Sequence, residues 1–153
     1  MSIIIKNSAT LFIAFSSWIP LISQQLPKTQ GLEGHVYRIS GNQMPSPDIK
    51  PKAPKGIKTT LYIFDLTNLN QVTRQNQSAF YAAVRTKLIK KIETDTNGYF
   101  KVNLPTGNYS LFTKKGELFY ANTFDGNNNI APVQVLPKKI TQVEVKMDYD
   151  ASY

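Results

Sequence analysis

The sequence predicts an all-β fold, a two-layer antiparallel sandwich, on three observations. Apolar side chains recur at every second residue in short runs, most clearly Phe100, Val102 and Leu104, and again Val143, Val145 and Met147. Turns rich in Gly, Asn and Pro separate these runs. No stretch carries the sustained 3.6-residue periodicity of a long amphipathic helix.

At 153 residues the chain has room for one domain and a real core. Cysteine is absent, which excludes disulfides, thiolate nucleophiles, thiolate zinc sites and a lipid-modified N-terminal cysteine. The formal net charge of +8 favours attraction to nucleic acid, anionic lipid or acidic polysaccharide without choosing among them.

"MSIIIKNSATLFIAFSSWIPLIS" holds one lysine, Lys6, and then an apolar stretch from Ala9 to Ile22 that Pro20 interrupts. That stretch is short for a membrane span, which takes about 20 residues. It reads as a signal peptide over 1–23, cut after Ser23, with a linker over 24–30. The same hydropathy would serve a retained anchor. A secreted or periplasmic protein, without stable membrane insertion after cleavage, is the expectation. Cleavage removes Lys6 and no acid, so the chain stays basic.

The domain is expected over 31–148. "GLEGHVYRIS", Gly31 to Ser40, reads as a first strand. "GNQMPSPDIKPKAPKGIK" alternates prolines with lysines; each proline lacks a donor N–H, so this is a surface loop. "TTLYIFDL" is apolar on both registers, as expected of a strand covered on two sides or lying under a loop. The polar "TNLNQVTRQNQ" is a loop. The segment 78–86 admits a short helix capped by Ser78 through Phe80, Ala83 and Val84, before a strand near Lys87.

"TDTNGYFKVNLPTGNYSLF", Thr94 to Phe112, is the most regular piece of the chain. Asn97 and Gly98 accept positive φ, so Asp95 to Gly98 should close a hairpin between the strand ending at Thr94 and the strand carrying Phe100, Val102 and Leu104. Pro105, Gly107 and Asn108 turn the chain into the returning strand "YSLFT". "TQVEVKMD" closes the domain, and 149–153 should form a tail. About seven strands result.

The run Thr94-Asp95-x-Asn97-Gly98-Tyr99-Phe100-x-Val102-x-Leu104-Pro105-x-Gly107-x-Tyr109-Ser110-Leu111, with Gly34 and Val36 in the first strand and the alternating last strand, resembles the carboxypeptidase regulatory-like domain. The resemblance covers roughly Gly31 to Asp148. It implies a transthyretin-like, seven-stranded Greek-key sandwich. Such modules are usually non-catalytic parts of exported proteins, beside peptidase domains or ahead of outer-membrane transporters, and common in Bacteroidetes-type bacteria. Here the module is expected to stand alone. The Pro and Lys loop and the insert from Leu66 to Thr86 exceed the family minimum and are where a binding surface would sit.

Candidate chemistry is sparse. His35 is the only histidine, and no G-x-S-x-G motif accompanies it, which leaves a hydrolase reading with one candidate group. The resemblance extends in topology to hydroxyisourate hydrolases and intradiol dioxygenases. Both need several histidines or a particular C-terminus, which "DASY" does not match. No cofactor is expected.

Asp125, Asn127 and Asn129 have the D-x-N-x-N spacing that opens a calcium loop, but Ile130 and Leu136 stand where its Gly and Glu belong. Phe119, Tyr120 and Phe124 would form a ligand platform for a sugar ring or extended peptide if exposed, and ordinary core if buried. Basic residues group in the Pro and Lys loop, from Arg85 to Lys91, and at Lys114-Lys115 and Lys138-Lys139. An exported protein meets anionic envelope material rather than nucleic acid. The expectation is therefore a non-enzymatic module that binds a protein or an envelope polysaccharide through loops and strand edges, with a carbohydrate-binding module as the alternative.

Trp18 is the only tryptophan and lies in the expected signal peptide. Mass spectrometry of the exported protein should show a chain beginning at Gln24 whose emission comes from tyrosine alone. A membrane-bound species retaining Trp18 would overturn the processing.

Overall fold

The structure, a computed structural model, describes residues 29–44, 47 and 50–153. The expected signal peptide and residues 24–28 of the linker lie outside the described residues, as do Pro45, Ser46, Asp48 and Ile49 of the Pro and Lys loop.

The described chain is all-β and forms two sheets. In the smaller sheet β1 (Gly31–Asn42) is central. Along one side it pairs with β11 (Ile140–Ser152), and along the other with β2 (Lys55–Gly56) and β7 (Tyr99–Asn103). The larger sheet runs β4 (Val72–Arg74), β5 (Phe80–Val84), β9 (Leu118–Tyr120), β8 (Gly107–Lys115), β3 (Thr60–Asp65), β6 (Leu88–Glu93), and β10 (Pro132–Val135) pairs with the first half of β8. Seven strands (β1, β3, β5, β6, β7, β8 and β11) have five or more residues, the number expected; β2, β4, β9 and β10 are pieces of two to four.

One ladder departs from an antiparallel sandwich: β1 and β11 run parallel, from Gly31 opposite Ile140 to Arg38 opposite Met147. Both strands start from the same end because Gln30 ties them there. The Gln30 side chain is buried, donates to the Leu104 carbonyl at 2.9 Å and accepts from the Lys138 N–H at 3.1 Å. Gly31 N–H then donates to the Lys139 carbonyl at 3.1 Å. The packed unit thus includes Gln30, the last residue of the expected linker.

Leu32 and Val36 of β1, Leu61 and Ile63 of β3, Leu111 of β8 and Met147 of β11 fill the space between the sheets. Phe100, Val102 and Leu104 join them, each at most 4% exposed. Their alternation delivers what the sequence predicts, but the turn before them does something else. The expected hairpin at Asp95 to Gly98 is not formed: β6 belongs to the larger sheet and β7 to the smaller, so the turn is a corner between layers.

Its chemistry explains the difference. Asp95 Oδ1 accepts from the N–H groups of Asn97 at 2.8 Å and Tyr99 at 2.9 Å, closing the bend on itself. The buried Thr94 hydroxyl accepts from Thr59 N–H and donates to the Ile57 carbonyl, both at 2.8 Å. Gly98, at φ +80°, offers its carbonyl to Val36 N–H at 2.8 Å. The corner is stitched to β1 and to the entry of β3, not to a neighbouring hairpin strand. The second turn, at Pro105 to Gly107, carries the chain back to the larger sheet, and Tyr109 fastens it by donating its hydroxyl to the Pro105 carbonyl at 2.8 Å.

The larger sheet is apolar on both faces, as the double register of "TTLYIFDL" predicts. Leu61 and Ile63 face the smaller sheet, whereas Phe64 belongs to a second cluster with Val72, Tyr81, Phe112, Ala121 and Ile130, against which Tyr62 packs. The insert from Leu66 to Thr86 supplies the cover. The helix considered for 78–86 is instead strand β5. The Ser78 hydroxyl accepts from Phe80 N–H at 3.2 Å and donates to the Gln75 carbonyl at 2.5 Å, so it closes a tight turn. Phe80 and Tyr81 then go to opposite clusters, a two-residue period. The expected tail over 149–153 is likewise strand as far as Ser152, held by Tyr149 against Phe80 and Tyr120 at 5.6 and 5.0 Å between ring centres.

Gly98→Ala tests the corner. A Cβ there would sit 2.2 Å from the Val36 carbonyl oxygen in backbone that disfavours side chains. Urea unfolding should show a loss of about 2 kcal/mol or more; an unchanged midpoint would mean that the corner does not constrain the fold.

Candidate functional site

Two surface features lie outside the core. The first is a groove of about 750 Å³ between β11 and the flank of the larger sheet, with Leu111, Val133, Val143 and Val145 among its apolar walls. At one end Asp148 accepts from the Tyr120 hydroxyl at 2.5 Å, the Tyr153 hydroxyl at 3.0 Å and the Asn122 amide. Burial, and then the bond to Asp148, push the Tyr120 phenol well above its usual range, so it stays a donor. Beside it Asp150 pairs with Arg38 at 2.7 Å and Lys115 at 3.2 Å, which hold its carboxyl below the ordinary value. These carboxylates are committed to protein donors, an arrangement suited to fixing a strand end.

The second feature spans four neighbouring strands of the larger sheet. Tyr62 on β3 lies opposite Lys91 on β6, and Lys114 on β8 opposite Phe119 on β9. The Lys91 ammonium stands 5.5 Å from the centre of the Tyr62 ring; that of Lys114 stands 5.4 Å from Tyr62 and 4.5 Å from Phe119. The two rings meet edge to face at 5.3 Å. Among the described residues neither ammonium has a carboxylate within salt-bridge distance, whereas Lys58, Lys101 and Lys115 each do. Two of the basic groups in the sequence, Arg85 to Lys91 and Lys114-Lys115, thereby converge on one aromatic pair.

The three aromatic candidates do not share a surface. Strand alternation sends Tyr120 into the inter-sheet core, 4% exposed, and Phe119 to the opposite face, half-buried against the second cluster. Phe124, 43% exposed, sits in an isolated bridge to Ile130. Of the trio, only Phe119 meets a free cation. Tyr62 was not among the candidates; its alternating apolar run marked it as packed, and only strand pairing sets it beside two lysines.

Asp125, Asn127 and Asn129 line a polar hollow of about 350 Å³. Asp125 accepts from Asn127 N–H and Asn129 N–H, both at 2.9 Å, and from the Asn129 amide at 2.8 Å. The Asn129 amide bond comes first among the causes that hold the Asp125 carboxyl below its usual value. Asn68 in turn donates to the Asn127 carbonyl at 2.7 Å and to Asn129 Oδ1 at 3.3 Å. Both Asp125 oxygens thus already accept from the loop's own amides, and Asn129 Oδ1 accepts from Asn68. Among the described residues no group of three or more His, Asp or Glu side chains is placed to hold a metal ion.

His35 lies on the outer face of the smaller sheet, its ring 5.8 Å from Tyr37 and 5.5 Å from Tyr99. Tyr99 donates to Glu33 at 3.0 Å and Lys101 pairs with Glu33 at 3.1 Å; Lys101 first, then Tyr99, keep the Glu33 carboxyl low. This is a hydrogen-bonded patch around a strand histidine.

Comparisons with protein-family models, with curated proteins and with solved structures find no match for this chain.

Titration with calcium should leave the melting temperature unchanged, because binding would displace three N–H donors from Asp125. A calcium-dependent rise that Asp125→Asn abolishes would assign the loop to a metal.

Proposed function

We propose that this chain is an exported, non-catalytic binding module, akin to the carboxypeptidase regulatory-like domain, that takes an acidic envelope polysaccharide across the outer face of its larger sheet. The observation that carries this reading is the convergence of Lys91 and Lys114, neither with an acidic partner among the described residues, on Tyr62 and Phe119. Such ammonium–ring contacts are worth about 0.5–1 kcal/mol each at an exposed site. They hold both ammonium groups at the rings, Lys91 exposed and Lys114 partly so.

The geometry favours a carboxylated sugar polymer over single-stranded nucleic acid. Bases bind by stacking on open ring faces, and here ammonium groups stand over both rings. Two fixed cations suit acidic groups repeated along a chain. The formal net charge of +8 adds long-range attraction that salt screens. The non-catalytic part of the reading draws support from carboxylates already engaged by protein donors, such as Asp148 and Asp125.

Calorimetry against a uronic-acid polymer tests the proposal. Binding should weaken as salt rises, and Lys91→Gln with Lys114→Gln should lower affinity about tenfold while the protein stays folded, its melting temperature falling only by the few degrees that the lost ammonium–ring contacts account for. A double variant that binds as tightly as the parent, or equal binding of an uncharged glucan, would refute it.

A further inference from the structure

β11 is an edge strand. Among the described residues β1 is the only strand that pairs with it, and its other side borders the groove. The bond from Gly31 N–H to the Lys139 carbonyl sets which groups are free. In a parallel ladder the N–H and C=O of one residue point to the same side and those of the next residue to the other. Residues 139, 141, 143, 145 and 147 therefore turn their main-chain groups to β1. Ile140, Gln142, Glu144 and Lys146 turn theirs outward, along roughly 20 Å of strand. The regular ladder ends at the irregularity between Arg38 and Ser40.

Free main-chain edges of this length are usually shielded, by proline, bulges or inward-pointing charges. The outward-facing row has no proline and no bulge before Met147; the protection it carries is charge, at Glu144 and Lys146, and because those charges are opposite in sign a second copy can satisfy them. Its polar and apolar side chains alternate symmetrically about Val145, Gln142, Glu144, Lys146 and Asp148 with Val143, Val145 and Met147, and the charges that flank Val145, on Glu144 and Lys146, are opposite in sign. The first three polar residues are exposed on the outer face, whereas Val143, Val145 and Met147 turn toward the core.

We propose that two copies of this chain pair antiparallel through β11, about a two-fold axis at Val145. An axis there sets Glu144 opposite Lys146 of the other copy, and Lys146 opposite its Glu144, two identical ion pairs by symmetry. Val145 meets its own counterpart, Val143 meets Met147, and Gln142 meets Asp148. Moving the axis to Glu144 or Lys146 sets like charges opposite each other, which destabilises a strand pair. Moving it by half a residue sets outer-face side chains against core-face ones. An axis at Val143 leaves Glu144 opposite the uncharged Gln142, and one at Met147 runs the pairing through the irregularity after Arg38 and sets Glu144 against Asp150, so the Val145 axis is the one that places both ion pairs within the regular ladder. The smaller sheet would continue from one copy into the next and cover the groove rims at Val143 and Val145. The Lys91 and Lys114 face lies on the other sheet and stays open, so the pairing stands or falls independently of polysaccharide binding.

Sedimentation equilibrium on the purified chain tests this. A concentration-dependent dimer is expected. Glu144→Lys alone and Lys146→Glu alone should each weaken it at least tenfold, and the two together should restore it. Both changes are at exposed positions, so the fold is kept. A second measurement uses the absence of cysteine. Val145→Cys should cross-link two chains on oxidation, because residues facing each other across a non-hydrogen-bonded antiparallel pair approach to about 4.5 Å, within disulfide reach. A strictly monomeric protein up to about 1 mM would overturn the proposal. So would a dimer that the single reversals leave intact, or pairing with an extended segment of another protein along β11 in place of a second copy.

Discussion

Every strand of the smaller sheet hydrogen-bonds to β1: β11 along one side, β2 and β7 along the other. The layer therefore exists only as long as β1 keeps both edges engaged. This places unusual demands on a few positions of β1, because main chains approach it closely. A Cβ at Gly34 would lie 1.7 Å from the Val143 carbonyl oxygen, and one at Gly31 would lie 1.9 Å from that of Val102. Leu32 and Val36, on either side of Gly34, reach into the inter-sheet core. One strand thus supplies the ladder, the close contacts and the centre of the core.

The corner at Asp95 to Tyr99 matters for the same reason. It delivers β7 to the flank of β1 and simultaneously places Gly98 on Val36 and Gly56 beside Asn97. Its polar residues satisfy their own backbone, so a bend between two layers leaves no orphaned donor at Asn97 or Tyr99. The resulting sandwich has a larger sheet that is buried twice, once against β1 and its partners and once under the Leu66 to Thr86 insert. Tyr62 and Phe119 sit where that second cover ends. They are half-buried, and lysines take the place of a further apolar layer. The proposed binding face is in this sense the unfinished rim of the second core.

Much of this was legible in the residue order, and the limits have physical causes. Alternation marks which side chains go inside, so Phe100, Val102, Leu104 and the double register of "TTLYIFDL" could be placed from spacing alone. Alternation does not say which strand lies alongside. An Asn-Gly bend looks alike whether it closes a hairpin or turns a corner; the deciding contacts, from Thr94 to Thr59 and from Gly98 to Val36, are long-range. The parallel pairing of first and last strands depends likewise on Gln30, an apparent linker residue that proves buried. At 78–86 helical and strand spacing compete over a few residues, and the strand wins because Phe80 and Tyr81 have separate clusters to fill. For the binding face, the basic runs and Phe119 were visible one by one. Their meeting at Tyr62 required the order of β6, β3, β8 and β9.

The parallel ladder between β1 and β11 joins the opening of the described chain to its close. Most of the intervening polypeptide must be ordered, or at least looped out, before those two segments can find each other, and such distant contacts are slow to form. During synthesis β1 has no lasting partner on that side until β11 has been made. The smaller layer is therefore the last to assemble, its closure waiting on β11.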